Sequence, residues 1–371
     1  MTGDLLVVGG GPAGAALAIE LSEAGREVML VEREARAHDK VCGEFLSREA
    51  MLYLRALDID PLALGAVPIA RVRVAGGRGD AAVDLPFAAA SLSRRVLDEA
   101  LLARAAAAGA TVRRGRRVVA LDAGFTARLD DGTRLEARQV ALATGKHDLR
   151  GHRRPPGHQN DLVGFKRHFR LAADQQQALA GEVELMLFAD GYAGLEPIEA
   201  GLANLCLVVR RHRLAALGGT WPALLDHVVG AVPLLARRLA GAEAVGARTL
   251  AISTIPYGYV ASAAPGTPGL WRLGDQAAVI PSFSGDGMSI ALHSARLAAD
   301  HLLAGRDAMQ FQARLAADVG AQVRRATLLS QALVQPAGQA GLLLAARLVP
   351  GLMALAARLT RVPERALLVP A

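Results

Sequence analysis

Cysteine is scarce in this chain: Cys42 and Cys206 are the only two in 371 residues. Two thiols cannot build a disulfide framework and fit a reducing compartment, so the cytoplasm is the expected location. Aromatic residues make up 4% against 52% hydrophobic residues overall, so Ala, Leu and Val must supply most of the core. Long apolar runs are missing too. No stretch of eighteen uncharged apolar residues occurs, which excludes a helix that spans a membrane unaided. No basic region precedes the first apolar stretch, so no secretory leader is expected. The net charge is +7, but no basic tract interleaved with aromatics accompanies it. It reads as an arginine-rich surface rather than a nucleic-acid site. No metal site is expected. At this length the chain forms one large or two modest domains.

What is present begins at Leu5-Leu6-Val7-Val8, a short buried strand followed at once by Gly9-x-Gly11-x-x-Gly14. A helix opens at Pro12, runs through Ala13, Ala16, Leu17, Ile19 and Leu21, and stops at Gly25. A second strand, Val28-Met29-Leu30-Val31, ends in Glu32. Gly9 permits the tight turn, Gly11 lets a pyrophosphate approach the backbone, and Gly14 lets helix and strand pack closely. The phosphates would rest on the helix's unpaired N–H groups and positive dipole end. Glu32 stands near the distance expected of an acid that binds ribose hydroxyls. With strand, helix, second strand and acid all in place, a dinucleotide site is predicted.

Further along, Lys40-Val41-Cys42-Gly43 places a thiol beside a cation and a glycine, ahead of a helix near 48–57. Short strands follow at 70–74 and 81–85, joined through Gly76–Gly79, and then an amphipathic helix from Ser91 to Gly109. Strands at 111–113 and 118–121 lead to a hairpin turning at Asp130-Asp131-Gly132. Its second arm ends in Thr144-Gly145, a glycine where backbone would pass close to a cofactor. From Asp161 the texture changes to strands at 162–171, 183–188, 193–198 and 205–210, which predict a separate antiparallel sheet. A helical stretch at 221–239 and a strand at 249–255 come next. The chain then returns to the first style with Gly274-Asp275 and Pro281-Ser282-Phe283-Ser284-Gly285-Asp286-Gly287-Met288, which opens a helix to Leu303. The last seventy residues read as Ala- and Leu-rich helices broken at Pro350 and punctuated by arginines. They either pack on the core or lie on a membrane surface.

The set Gly9–Gly14 with Glu32, Arg94-x-x-Leu97-Asp98, Gly274-Asp275 and Pro281-x-x-x-Gly285-x-Gly287 resembles the FAD-dependent oxidoreductases of the glutathione-reductase-type fold. Within them it is similar to the branch of aromatic monooxygenases, geranylgeranyl reductases and flavin-dependent halogenases. The resemblance spans roughly residues 4–305. It implies an α/β fold: a Rossmann-like FAD-binding domain (1–160 and 249–305), an inserted antiparallel β-sheet substrate domain (161–248 with parts of 65–95), and C-terminal helices (306–371). It implies FAD held by Gly9, Gly11, Pro12, Ala13, Gly14 and Glu32, with Arg33 and Arg94 toward the adenosine and pyrophosphate. Cys42, Gly43, Gly145, Gly274, Asp275, Gly285, Gly287 and Met288 would line the rest of the cofactor. The stretch around Cys42 resembles the prenyl-reductase cysteine loop.

Departures shape the functional expectation. Thr144-Gly145 stands where the hydroxylases usually have Asp-Gly. Tyr192-Ala193-Gly194-Leu195-Glu196-Pro197 keeps only the Tyr and Pro of the prenyl-reductase element, and the halogenases' tryptophan element is missing. No second GxGxxG occurs, so NAD(P)H would be a transient electron donor, or a separate flavin reductase would serve. The expected activity is a monooxygenase acting through a flavin C4a-hydroperoxide on a lipophilic, aromatic or polyketide-like molecule, free or carrier-bound. The alternative is a geranylgeranyl-reductase-like C=C reductase. Phe45, Tyr192, Leu195, Tyr257 and Phe283 are the candidate pocket walls. Cys42, Glu196 and His168 are the candidate catalytic groups.

Overall fold

The computed structural model describes residues 2–262 and 268–369. The chain runs β1 (Thr2–Val8), α1 (Pro12–Glu23), β2 (Val28–Glu32), β3 (Phe45–Leu46), α2 (Arg48–Ala56), β4 (Val67–Gly76), β5 (Gly79–Ser91) and α3 (Arg94–Ala107). It continues as β6 (Thr111–Arg114), β7 (Val118–Asp122), β8 (Thr126–Leu129), β9 (Arg134–Leu142), β10 (Leu162–Arg170), α4 (Ala173–Leu179) and β11 (Glu182–Phe188). Next come β12 (Gly191–Ile198), β13 (Leu202–Arg210), α5 (Arg211–Ala216), α6 (Trp221–Ala231), α7 (Pro233–Leu239) and β14 (Glu243–Ser253). The last elements are β15 (Leu270–Arg272), α8 (Gly287–Leu303), α9 (Ala308–Leu333), α10 (Pro336–Leu348) and α11 (Pro350–Leu359).

The first sheet has the order β6-β2-β1-β9-β8-β7, with β15 added to β9. β1 is parallel to both β2 and β9, with Val7 opposite Leu30 and Ala141. Leu5, Leu6, Val7 and Val8 are all buried, because helices α1, α3 and α8 cover one face and the β7–β9 meander folds against the other. A strand buried on both faces reads as a continuous apolar run, which is what the sequence shows. Gly14 is fixed sterically: a Cβ there would strike the Gly9 carbonyl and sit 3.0 Å from Val7 Cγ1. Helix α1 can lie this close to β1 only without a side chain at that position.

The second sheet has the order β14-β10-β13-β12-β11-β4-β5-β3. It is antiparallel except where β4 and β11 run parallel. One face packs on α4–α7 through Phe165, Leu195, Leu205, Leu224, Val228 and Leu235. The other face is left toward the first sheet, and the space between them is the site. Three differences from the sequence reading have simple causes. The strand expected at 249–255 is β14, which starts at Glu243 and pairs with β10 in the second sheet. The helical stretch at 221–239 is two helices, split where Pro233 begins a new first turn. Short helices α4 and α5 fill chain reversals that were not predicted.

Candidate active site

The site is built outward from the glycine turn. Gly11 is the N-cap of α1, so the helix's first N–H groups face out past it. A Cβ on Gly11 would lie 3.3 Å from Arg94 Nη2 and 3.9 Å from Lys40 Nζ. Two cations therefore flank the space in front of the helix N-terminus. Both are held by one carboxylate: Asp98 accepts from Lys40 at 2.8 Å and from Arg94 at 2.7 and 2.9 Å. Burial pushes the Asp98 carboxyl up, but the Arg94 and Lys40 charges outweigh it and hold its pKa below the usual range. Dipole, N–H groups and cations converge on the space in front of Gly11, and this fits a dinucleotide pyrophosphate. Glu32, at the end of β2, accepts the Gly10 N–H at 2.7 Å and the Glu34 N–H at 3.0 Å, fixed beside the turn where a ribose would lie.

The cysteine loop closes over this end. Asn204 donates to the carbonyls of Cys42 and Gly43 at 3.1 and 3.0 Å, and Lys146 donates to the Val41 carbonyl at 3.0 Å. The Glu44 N–H points at Cys42 Sγ, 3.4 Å away. The Arg94 guanidinium lies near that sulfur. Behind the thiol sits a residue that no local pattern singles out. Glu44 is fully buried at φ +63° and accepts from Lys166, from His168 Nε2 at 2.9 Å and from the Arg94 N–H at 2.8 Å.

Between the sheets lies a cleft of about 630 Å³. The dinucleotide-side residues Gly9, Gly11, Pro12, Ala13, Glu32 and Arg33 line one end. Cys42, Gly43, Arg94, Gly145, Gly274 and Asp275 line the middle, with Gly285, Gly287 and Met288 from the turn into α8. Gly285 adopts φ +66°, which lets the chain reverse between Pro281 and α8 and presents the α8 N-terminus to the cleft. Gly14 stands behind the turn, in the helix–strand contact. Phe45, Tyr192, Tyr257 and Phe283 wall the far end, where the Tyr192 hydroxyl and Ser282 Oγ are 3.2 Å apart and Phe283 meets Tyr192 edge-on.

Two expectations are corrected. Leu195 faces the α4–α7 side, because side chains alternate along β12: Tyr192, Gly194 and Glu196 look into the cleft while Ala193 and Leu195 look away. His168 shares the face of Lys166 on β10 and is a partner of Glu44, so it supports the loop rather than facing the cleft. Glu196 does line the cleft, with Ser91 Oγ donating to it at 3.2 Å. Burial, and then the nearby Glu44 charge, push its carboxyl well above the ordinary range. Cys206, opposite Gly194 on β13, also borders the cleft, and burial pushes its thiol up to about 12.

Residues 2–149 match the family model described as an FAD binding domain. Over that segment the chain is similar to FAD-dependent oxidoreductases. The menaquinone reductase of Mycobacterium tuberculosis (strain CDC 1551 / Oshkosh) is 26% identical to this chain over 338 residues, covering 85% of this chain and 80% of the relative. Among solved structures, PqsL from Pseudomonas aeruginosa, titled a probable FAD-dependent monooxygenase, superposes with a TM-score of 0.70. That likeness covers 92% of this chain and 99% of the other at 19% identity. The myxobacterial chondrochloren halogenase CndH superposes with a TM-score of 0.73 at 21% identity, covering 99% and 95%.

The end of the cleft beside α8 is tied to the C-terminal segment. Asp286, the N-cap of α8, is fully buried and accepts from Gln322 Nε2 and the Val362 N–H at 3.0 Å, with Arg361 at 3.4 Å. The Arg361 guanidinium also stacks over Phe45 and Phe87. α10 and α11 thereby become the outer wall of the cleft, through Leu342, Met353, Ala356 and Ala357.

Proposed function

We propose that the chain reduces an isolated carbon–carbon double bond in a long, lipophilic substrate. Bound FAD supplies the two-electron chemistry. Reduction adds a hydride equivalent to one carbon and a proton to the other, so the site needs a proton donor in an apolar place. Glu196 is the observation that carries this reading. It is a cleft-lining carboxyl whose pKa burial raises, so it holds its proton to higher pH than an ordinary carboxyl, with Ser91 orienting it. It would give its proton to the substrate carbon and recover one from solvent. Cys42, held by the clamped loop beside Arg94, would fix the substrate's position against the cofactor. The sheet face of Val72, Val183, Leu185, Val208 and Ile252 excludes water and accepts an apolar chain. The relative's name, menaquinone reductase, supports both the reductive direction and a lipophilic substrate.

The second reading is oxygen insertion from O2 into an aromatic or polyketide-like molecule. It is favoured by the shared fold with a protein titled a probable FAD-dependent monooxygenase. Electrons would come from NAD(P)H bound transiently or from a separate reductase.

The deciding experiment incubates the holoprotein with reduced nicotinamide and a panel of polyprenyl quinones, with and without O2, and weighs the products. A gain of two hydrogens that persists without O2 supports the reductase. A gain of one oxygen with O2 consumed replaces it with the monooxygenase. Glu196→Gln should keep its yellow flavin and lose on the order of 100-fold in kcat; an unchanged kcat would remove Glu196 as donor. Wild-type kcat should fall as pH rises through the raised Glu196 pKa.

A further inference from the structure

The C-terminal helices carry an apolar face that nothing among the described residues covers. Eleven large apolar residues are exposed among the described residues, and six of them fall within 344–359. Leu344 and Leu348 are one turn apart on α10; Leu352, Leu355 and Leu359 follow at helical spacing on α11, with Val349 at the joint. Leu348 is 70% exposed, and Leu328 on the neighbouring α9 is 62% exposed. A monomer seldom shows so contiguous an apolar patch unless it is a contact surface. The helix axes turn by 116° at Val349–Pro350, and no single helix is long and apolar enough to cross a membrane. The pair therefore forms an elbow.

Charge says what the elbow meets. From residue 319 to the end the chain holds six arginines (324, 325, 347, 358, 361 and 365) and one acid, Glu364. Arg324, Arg325, Arg358 and Arg365 are exposed and form no ion pair among the described residues. Leucines flanked by unpaired arginines, with almost no acid nearby, match the surface of an anionic bilayer: acyl chains for the leucines, phosphates for the guanidinium groups. We infer that the α10–α11 elbow docks the protein peripherally on anionic membranes. The same two helices wall the cleft through Leu342, Met353, Ala356 and Ala357. If the substrate is the lipophilic one proposed above, it passes from bilayer to cleft between them; docking itself does not depend on that reading.

The test is flotation of the holoprotein with vesicles of phosphatidylcholine alone or with one-third phosphatidylglycerol. Binding at least tenfold stronger to the anionic vesicles is expected. Leu348→Glu with Leu352→Glu should abolish it, and Arg324→Glu with Arg358→Glu should lower it at least tenfold. Retained flavin absorbance and melting temperature show that the variants are folded. Absence of vesicle binding by wild type, or variants that bind like wild type, overturns the inference. So does a wild-type dimer in solution that the leucine variant dissociates without any vesicle binding, since the face would then belong to a second copy. No turnover is read, so failure here leaves the proposed reaction untouched.

Discussion

At the scale of single residues, the most consequential side chain is Glu44. Its left-handed backbone suits glycine, and a non-glycine residue held there costs roughly 1–3 kcal/mol. The cost is offset because this backbone aims the carboxylate at Lys166, His168 and the Arg94 N–H together, locking the cysteine loop to β10 and α3. Glu44→Gln should destabilise by roughly 3–5 kcal/mol, since it leaves the buried Lys166 ammonium uncompensated. Adding Lys166→Met should recover most of the loss, as urea melts of the single and double variants would show. If the double variant is no better than the single one, Glu44 acts mainly through its backbone. Gly11→Glu is a cleaner probe of the cofactor end. It sets a carboxylate against Arg94 and Lys40, so a colourless protein with unchanged circular dichroism is expected; retained flavin would move the pyrophosphate elsewhere. Gly14 could be read from sequence because its steric demand, set by the Gly9 carbonyl and Val7, lies within ten residues, and Gly9 and Gly11 because they complete its spacing. Glu44 could not, because Lys166 lies 122 residues away and no local pattern marks the pair. Leu195 was misjudged by one position, which on a strand is the difference between two faces.

At the scale of elements, α8 both faces the cleft and is latched. Its N-cap Asp286 draws hydrogen bonds from α9 and from the segment after α11, so the α8 N-terminus and the outer wall of the cleft move as one piece. Burial, against the pull of Arg361, pushes the Asp286 carboxyl from its ordinary 3.8 up to about 6. A carboxyl whose folded pKa is raised binds its proton more tightly in the folded state. Stability is therefore greatest at low pH for this group and declines as pH rises from about 4 through 6. The full decline amounts to roughly 3 kcal/mol by pH 7. Asp286→Asn should flatten that stretch of the stability–pH curve, measured by denaturant melts at pH 4, 5, 6 and 7. An unchanged slope would assign it to another buried acid. Apolar periodicity and Pro350 made the C-terminal helices legible, whereas Pro233 and Pro336, which also begin new first turns, were not read as breaks. What the helices pack against was not legible, because an alanine-rich face records no partner.

At the scale of the whole molecule, two sheets with separate cores meet across a cleft that both line. The sequence announced this division through its change from alternating helices and strands to strand after strand at Asp161. The resemblance assigned parts of 65–95 to the second sheet, but nothing local announced that β14 joins it too, because pairing across such separations leaves no local trace. A ligand that fills the cleft touches the glycine turn, the cysteine loop and the α8 N-terminus at once, so it couples elements from distant parts of the chain. A cofactor bound only by the folded state stabilises by about 4 kcal/mol at a thousandfold excess over its Kd. Stripping the flavin should therefore lower the melting temperature by several degrees. Because the cofactor bridges the two halves, one calorimetric transition should also broaden or split in two. Adding FAD back should restore both the temperature and the single transition, and Gly11→Glu should melt like the stripped protein with or without added FAD. A stripped protein that melts as sharply and as high as the holoprotein would mean that the two cores are already coupled through the clamped cysteine loop alone. In that case Glu44→Gln, not flavin removal, would be the change that separates them.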